Sequence, residues 1–268
     1  MTTYQITSLQ NQRVKQVVAL QQKSAERRRQ GRFVVEGQRE IAHCLGAGYE
    51  VETVYYCPAL MAGTAGSDFL LRHGRDVGEA CEVTEAVYDK MAYRGSTEGL
   101  LAVVRCKTHS LDSLTLSDKP LIVVLESVEK PGNLGAVLRS ADAAKADAVI
   151  VCDPLTDLYN PNLIRSSIGA IFTVPCVACS SRECIDFLKA HAIRILTAQL
   201  QDSLLYYDTD MRAGTAIVMG TESTGLTDGW RQAADAHIRI PMLGQLDSLN
   251  VSVSAAILLF EAVRQRRG

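Results

Sequence analysis

The chain has 268 residues, 47% of them hydrophobic and 22% charged, with a formal net charge of −2. That balance is ordinary for a soluble globular protein, and no apolar run approaches the roughly 18–20 residues of a membrane span. The first residues, MTTYQITSLQNQRVKQ, lack the apolar core of a secretion signal, so a cytoplasmic protein without a membrane partner is expected.

Charge is uneven along the chain. Residues 1–40 hold Arg13, Lys15, Lys23, Arg27, Arg28, Arg29, Arg32 and Arg39 against Glu26, Glu36 and Glu40, a net +5, and the remainder carries −7. A basic first segment on an acidic body fits an anionic partner, of which nucleic acid is the usual one. A solvated helix face accounts for the same charges equally well.

In chain order, VKQVVALQQKSAERRRQ (14–30) reads as one helix with Val14, Val17, Val18 and Leu20 on its apolar side. Residues 1–30 are thus a basic helical extension. RFVVEG is a strand, and REIAHCLGAG a helix closed by glycines. VETVYYC, CEVTE and GLLAVVRC are further strands, which together make a small α/β unit over residues 31–106. KTHSLDSLTLSDKP is polar and turn-rich, so residues 107–119 read as a linker.

From residue 120 the alternation restarts at larger scale. LIVVLESV (121–128) is a buried strand and NLGAVLRSADAAKA a helix; DAVIVCD, IFTVPCVA, IRILTAQ, TAIVMGT and AHIRIPM are more strands. Continuous apolar strands separated by helices mean a mostly parallel sheet covered on both faces. Ligands bind such sheets at the carboxyl ends of their strands, which points to the loops after residues 128, 199, 220 and 242.

The eight cysteines are scattered singly at 44, 57, 81, 106 and 152, then cluster as Cys176, Cys179 and Cys184. Cys176 and Cys179 have CxxC spacing, but a zinc site needs about four ligands and a second pair is missing, with His191 the nearest extra candidate. Reduced, unliganded cysteines are therefore expected.

Three loops offer chemistry. Gly132 and Gly135 are out of register for a dinucleotide-binding G-x-G-x-x-G, which counts against a nicotinamide-dependent enzyme. The segment instead places Asn133 where a helix begins, a good capping residue, and Arg139 six residues later among apolar neighbours, where a guanidinium needs a partner. AIVMGTESTGL puts Gly220 at a strand end, where a ligand or another backbone can approach, with Glu222 in the turn behind it. SLNVSVS (248–254) alternates as a strand would, yet Val251, Ala255, Leu258 and Leu259 also lie on one helix stripe. Ser248 and Asn250 then fall at the start of a buried helix, which one of them caps.

Taken together, NLGAVLRSADAA, VMGTESTGL and IPMLGQLDSLNVSVS resemble, in order, the three motifs of the SpoU (TrmH-type) RNA ribose 2′-O-methyltransferases of the SPOUT superfamily. Position 221 is Thr, where members more often have Asn, Ser or Ala. FVVEGQREIAHCLGAGYEVETVYY is similar to the ribosomal-protein-like RNA-binding domain that precedes the catalytic domain in many members. The resemblance implies a SPOUT α/β-knot over residues 120–268, a deep trefoil knot on a mostly parallel sheet. It also implies S-adenosylmethionine bent into the knotted loops and a homodimer packed across them.

By the same resemblance Gly220, Ile240 and Leu249 contact the cofactor through backbone and apolar walls, with Glu222 and Met242 nearby. Asn133, Arg139, Ser248 and Asn250 form the catalytic group, and no metal is required. The resemblance gives Arg139 one of two roles: assisting removal of the hydroxyl proton or, since arginine stays protonated in proteins, only anchoring phosphate and stabilising developing alkoxide charge. The first unit and the basic extension favour ribosomal RNA, of the large subunit, over transfer RNA. A non-catalytic RNA-binding or assembly protein of the same fold is the rival reading, and intact Asn133, Arg139, Glu222, Ser248 and Asn250 argue against it. SLNVSVS becomes the knotted start of the last helix, with its valines turned to the core.

Overall fold

The computed structural model describes residues 3–61, 66–93, 98–221 and 224–267. The chain opens with β1 (Thr3–Ile6), α1 (Gln12–Gln22), α2 (Ser24–Gln30), β2 (Arg32–Glu36), α3 (Gln38–Gly46) and β3 (Val51–Tyr56). It continues through α4 (Pro58–Met61), α5 (Gly66–His73), β4 (Val77–Val83), α6 (Glu85–Met91) and β5 (Leu100–Arg105). Next come β6 (Leu121–Glu126), α7 (Pro131–Ala143), β7 (Ala148–Cys152), α8 (Pro161–Ser166), α9 (Ala170–Thr173), β8 (Cys176–Cys179) and α10 (Ser181–Ala190). The last elements are β9 (Arg194–Ala198), β10 (Leu204–Leu205), β11 (Thr215–Met219), α11 (Asp228–Ala233), β12 (Ala236–Arg239) and α12 (Val251–Arg267).

These elements form two compact units that do not follow chain order. The first comprises the residues up to Thr108 together with Asp157–Thr173; the second comprises His109–Thr156 and the residues from Val174 onward. The stretch 157–173, expected within the catalytic span, therefore belongs to the first unit.

In the first unit the sheet order is β1-β4-β3-β5-β2. β1, β4 and β3 run parallel, while β5 is antiparallel to both β3 and β2. Val14, Val17 and Leu20 of α1 join Val87, Tyr88 and Met91 of α6 against Ile6, Tyr55, Val83 and Leu101 of the sheet. The single helix expected over 14–30 breaks at Lys23, whose φ of −121° and ψ of 112° are extended. The reason lies in Arg27: its guanidinium turns back to donate to the carbonyls of Leu20 and Gln21, the last turn of α1. Buried among them, it pairs with Asp157 at 2.6 Å, a charge that burial makes expensive to leave single.

The basic surplus of residues 1–40 is largely answered inside this unit. Arg13, Arg29, Arg32 and Arg39 pair with Glu79, Glu26, Glu52 and Glu40. Lys15, Lys23 and Arg28 are exposed and form no ion pair among the described residues. IFTVPCVA, expected as one strand, is α9 followed by β8, with Pro175 between them. Aromatic packing decides this: Phe172 meets Tyr49 with ring centroids 5.3 Å apart, and Tyr159 stacks on Phe33 at 4.2 Å.

The second unit carries the expected parallel sheet. Its order is β10-β12-β9-β11-β6-β7-β8, and every pairing is parallel. β11, β6 and β7 are buried along their whole length, as β-branched central strands covered on both faces should be. Cys184 and Leu188 of α10 and Trp230 of α11 pack on Ile122, Val124, Ile150, Ala216 and Val218. α7 and α12 pack on each other and against β6, β7 and β11. From His109 onward the segment expected as a linker belongs to this unit, and its Leu111, Leu114 and Leu116 pack against the same core.

In α12 the stripe Val251, Ala255, Leu258, Leu259 and Ala262 is buried. Val253 and Phe260 are exposed, so of the two valines only Val251 turns to the core. Helical spacing wins over strand alternation here because Val251 begins a seventeen-residue helix. Its far end is tied down by Arg266, which donates to the carbonyls of Met211, Lys119, Pro120 and Ala213.

Candidate active site

The carboxyl ends of the central strands hold the candidate site. β6 ends at Glu126, and Ser127 follows with φ 53°, its N–H donating to the carbonyl of Cys152 at 2.9 Å. The chain then enters α7, with Pro131 in its first turn and Asn133 a short step beyond. β11 ends at Met219, and Gly220 begins a turn that folds back on itself. Thr221 and Gly225 exchange backbone hydrogen bonds of 3.3 and 3.1 Å, and Gly225 takes φ 68°, a conformation that suits glycine. A Cβ on Gly220 would lie 2.2 Å from the Gly225 carbonyl oxygen. The approach that Gly220 permits is thus made by the protein's own backbone.

Two cavities meet at this turn. The larger, about 380 Å³, brings together Gly220, Ile240, Met242, Ser248 and Leu249. The smaller, about 160 Å³, is lined by Ser127, Lys130 and Asn133 among others. Gly220, Thr221 and Val251 border both.

The Asn250 side chain links the start of α12 to the start of α7. Its Nδ2 donates to Asn133 Oδ1 at 3.1 Å, and its Oδ1 accepts from the Ser252 N–H at 2.9 Å and the Ser252 hydroxyl at 2.7 Å. It therefore caps α12 and fixes Asn133 with the other end of the same amide. Ser248 donates to Asp247 at 3.2 Å. Arg139 lies on the exposed side of α7, lines neither cavity and bonds to no described residue. Glu222 lies outside the described residues.

Sequence reasoning missed two further features. Gln199 and Arg231 line the larger cavity, and Gln199 Oε1 and Arg231 Nε are buried without a hydrogen-bond partner among the described residues. Buried polar atoms normally have partners, so a ligand with hydrogen-bonding groups as well as apolar surface fits this wall. The loop after residue 199 was marked by its place at a strand end, but nothing local singles out Gln199.

The other missed feature is Glu126, buried at the end of an otherwise apolar strand. It accepts from the Thr227 N–H at 2.9 Å, from the Thr227 hydroxyl at 2.8 Å and from Ser181 at 3.2 Å. Trp230 Nε1 donates to the same Ser181 at 3.0 Å, and Ser181 donates to Asp153 at 2.6 Å. This network ties β6 to the starts of α10 and α11. The one acidic residue in LIVVLE was its only sign.

A cavity at the carboxyl ends of parallel strands, walled by apolar residues and a few convergent polar groups, is the arrangement of a cofactor-binding α/β protein. Comparison with known proteins gives the particular class. Residues 120–260 match the SpoU rRNA methylase family and residues 11–102 the MRM3-like substrate binding domain. A 23S rRNA (uridine(2479)-2'-O)-methyltransferase from Streptomyces viridochromogenes is 32% identical over 269 residues, 97% of this chain and 92% of the relative. The crystal structure of an RNA 2'-O ribose methyltransferase superposes with a TM-score of 0.85 at 40% identity, covering 98% of this chain and 100% of the other. The AdoMet-bound rRNA methyltransferase from Sinorhizobium meliloti superposes with a TM-score of 0.89 at 27% identity, covering 98% of both chains. The chain belongs to the SpoU rRNA methylase family.

Gly220→Ala tests the geometry. Forcing a methyl group against the Gly225 carbonyl displaces the turn at a cost of about 1–3 kcal/mol, so affinity for S-adenosylmethionine should fall roughly tenfold or more by calorimetric titration. Unchanged affinity would mean that the turn does not shape the cavity.

Proposed function

We propose that this protein transfers a methyl group from S-adenosylmethionine to a ribose 2′-hydroxyl of 23S ribosomal RNA. The observation that supports this most directly is the convergence of Gly220, Ile240, Met242 and Leu249 on one cavity, beside the bonded pair Asn133 and Asn250. The names of its relatives favour ribosomal over transfer RNA. The cofactor supplies an electrophilic methyl group on a sulfonium. Ile240, Met242 and Leu249 give it an apolar wall, Gly220 a close backbone, and Gln199 and Arg231 the partners for its polar ends.

The remaining residues handle the RNA. Asn133 orients the ribose, and Asn250 is a positioning residue that holds the Asn133 amide through their 3.1 Å bond. Ser248 stands at the rim of the larger cavity, where the reacting hydroxyl is presented. Arg139 takes the phosphate next to the reacting nucleotide. Its fixed positive charge stabilises the oxygen as the hydroxyl proton passes to solvent. In-line presentation of the hydroxyl is the main contribution of such a site.

The first unit carries the RNA, in keeping with its match to a substrate binding domain, through Lys15, Lys23 and Arg28. A second copy of the chain covers the apolar surface around α12, where Leu243 and Leu246 are 96% and 79% exposed in the preceding loop and Leu249, Val253 and Phe260 are exposed as well. Monomers rarely leave such a patch bare. The dimer forms across a trefoil knot in residues 120–268. The protein works in the cytoplasm, where its eight cysteines, none of them bridged, stay reduced. No helix among the described residues is long and apolar enough to cross a membrane.

Three measurements test this reading. Arg139→Ala should lower methyl transfer at least about a hundredfold while calorimetry shows full affinity for S-adenosylmethionine; near-normal turnover would remove Arg139 from the mechanism. Replacing Lys15, Lys23 and Arg28 together by Ala should reduce the slope of log affinity against log salt by roughly two to three, and an unaltered slope would place the RNA elsewhere. Sedimentation should give a dimer for the native chain and a monomer for Phe260→Glu. A native monomer would exclude the α12 interface.

A further inference from the structure

The CxxC pair does not close on itself. Cys176 and Cys179 are three positions apart on β8, so they face opposite sides of the sheet. Cys176 is buried alone on its side. Cys179 stands opposite Cys152 in the β7–β8 register, and Cys184 reaches the same point from the first turn of α10. The three sulfurs lie within 4.8 Å of one another. Cys152 and Cys184 are wholly buried, and Cys179 is half-buried.

As small apolar fillers, cysteines need only occupy space. Here three separate elements aim their sulfurs at one centre, and the methyl-transfer chemistry proposed above uses none of them.

We infer that Cys152, Cys179 and Cys184 form a three-thiolate site for a divalent ion of the zinc class, with a fourth coordination position open at Cys179. Zinc–thiolate bonds of about 2.3 Å put tetrahedral ligand sulfurs about 3.8 Å apart, within rotamer-scale movement of the observed cluster. On binding, each remaining S–H bond breaks, its proton passes to solvent and a metal–sulfur bond replaces it. Three thiolates and one dication leave a single negative charge, with solvent at the open position.

The ion would clamp the carboxyl ends of β7 and β8 to α10. The Cys152 carbonyl accepts the Ser127 N–H at 2.9 Å, and Ser127 lines the smaller cavity. A clamp at Cys152 therefore braces the loop that leads to Asn133.

The test uses the full-length chain, reduced and held without oxygen, titrated with cobalt(II) alone as a spectroscopic substitute for zinc. One equivalent should produce thiolate-to-cobalt charge-transfer absorption, and added zinc should displace it. Cys179→Ser, at a half-exposed position that tolerates a hydroxyl, should lose the band. Cys176→Ala and Cys106→Ser should keep it. Zinc should raise the melting temperature of the native chain and not of Cys179→Ser. No band in the native chain would overturn the site, as would a band retained in Cys179→Ser or lost in both control variants. Uptake of copper(I) with neither cobalt nor zinc would overturn the divalent assignment.

Discussion

The closest constraint in the second unit is the backbone folded against Gly220. The Gly225 carbonyl oxygen lies 2.2 Å from where a Cβ on Gly220 would stand, an approach that glycine alone allows. That arrangement divides the space at the strand ends into two cavities, since Gly220 and Thr221 border both. Val251, the first residue of α12, completes the partition, and it is placed by the helix stripe buried over β6 and β11. A glycine, a cap and a buried stripe thus set the site before any chemically active side chain is considered.

Behind this surface the supports are polar and buried. Glu126 collects three hydrogen bonds from Thr227 and Ser181, and removing one side of such a network leaves an uncompensated buried group. Asn250 serves two purposes with one amide, capping α12 and orienting Asn133. The side chains assigned to the reaction are therefore held by elements whose first duty is structural. Arg139 is the exception: it lies exposed on α7.

Much of the second unit is legible from residues alone, because strands buried on both faces leave unbroken apolar runs such as LIVVLE and AVIVC. The stripe from Val251 to Leu259 was equally plain. Other features depend on contacts no local pattern records. β1 is only four residues long and finds its place through β4. The break at Lys23 exists because Arg27 turns back on α1. IFTVP reads as a strand but winds into a helix to reach Phe33 and Tyr49. Val253 looks like core by alternation and is exposed because helical spacing governs.

Of the residues drawn from motif resemblance, Gly220, Ile240, Met242, Ser248 and Leu249 line the larger cavity and Asn133 the smaller, whereas Arg139 lines neither. Gln199 and Arg231 stayed hidden because their meaning lies in a wall formed by distant loops. The cysteines show the same limit from the other side, since CxxC spacing suggested a pair that the strand's own pleat pulls apart.

The central claim is that this chain methylates a ribose 2′-oxygen, and a 2′-O-methyl group has a chemical signature: it blocks alkaline cleavage of the adjoining phosphodiester. The direct measurement is to incubate the protein with S-adenosylmethionine labelled in its methyl group and 23S rRNA from cells lacking the gene, then digest the RNA with alkali. The account requires the label to appear in a single alkali-resistant dinucleotide. Label recovered in mononucleotides would locate the methyl group on a base, and absence of label would deny the activity to this RNA; either result would contradict it.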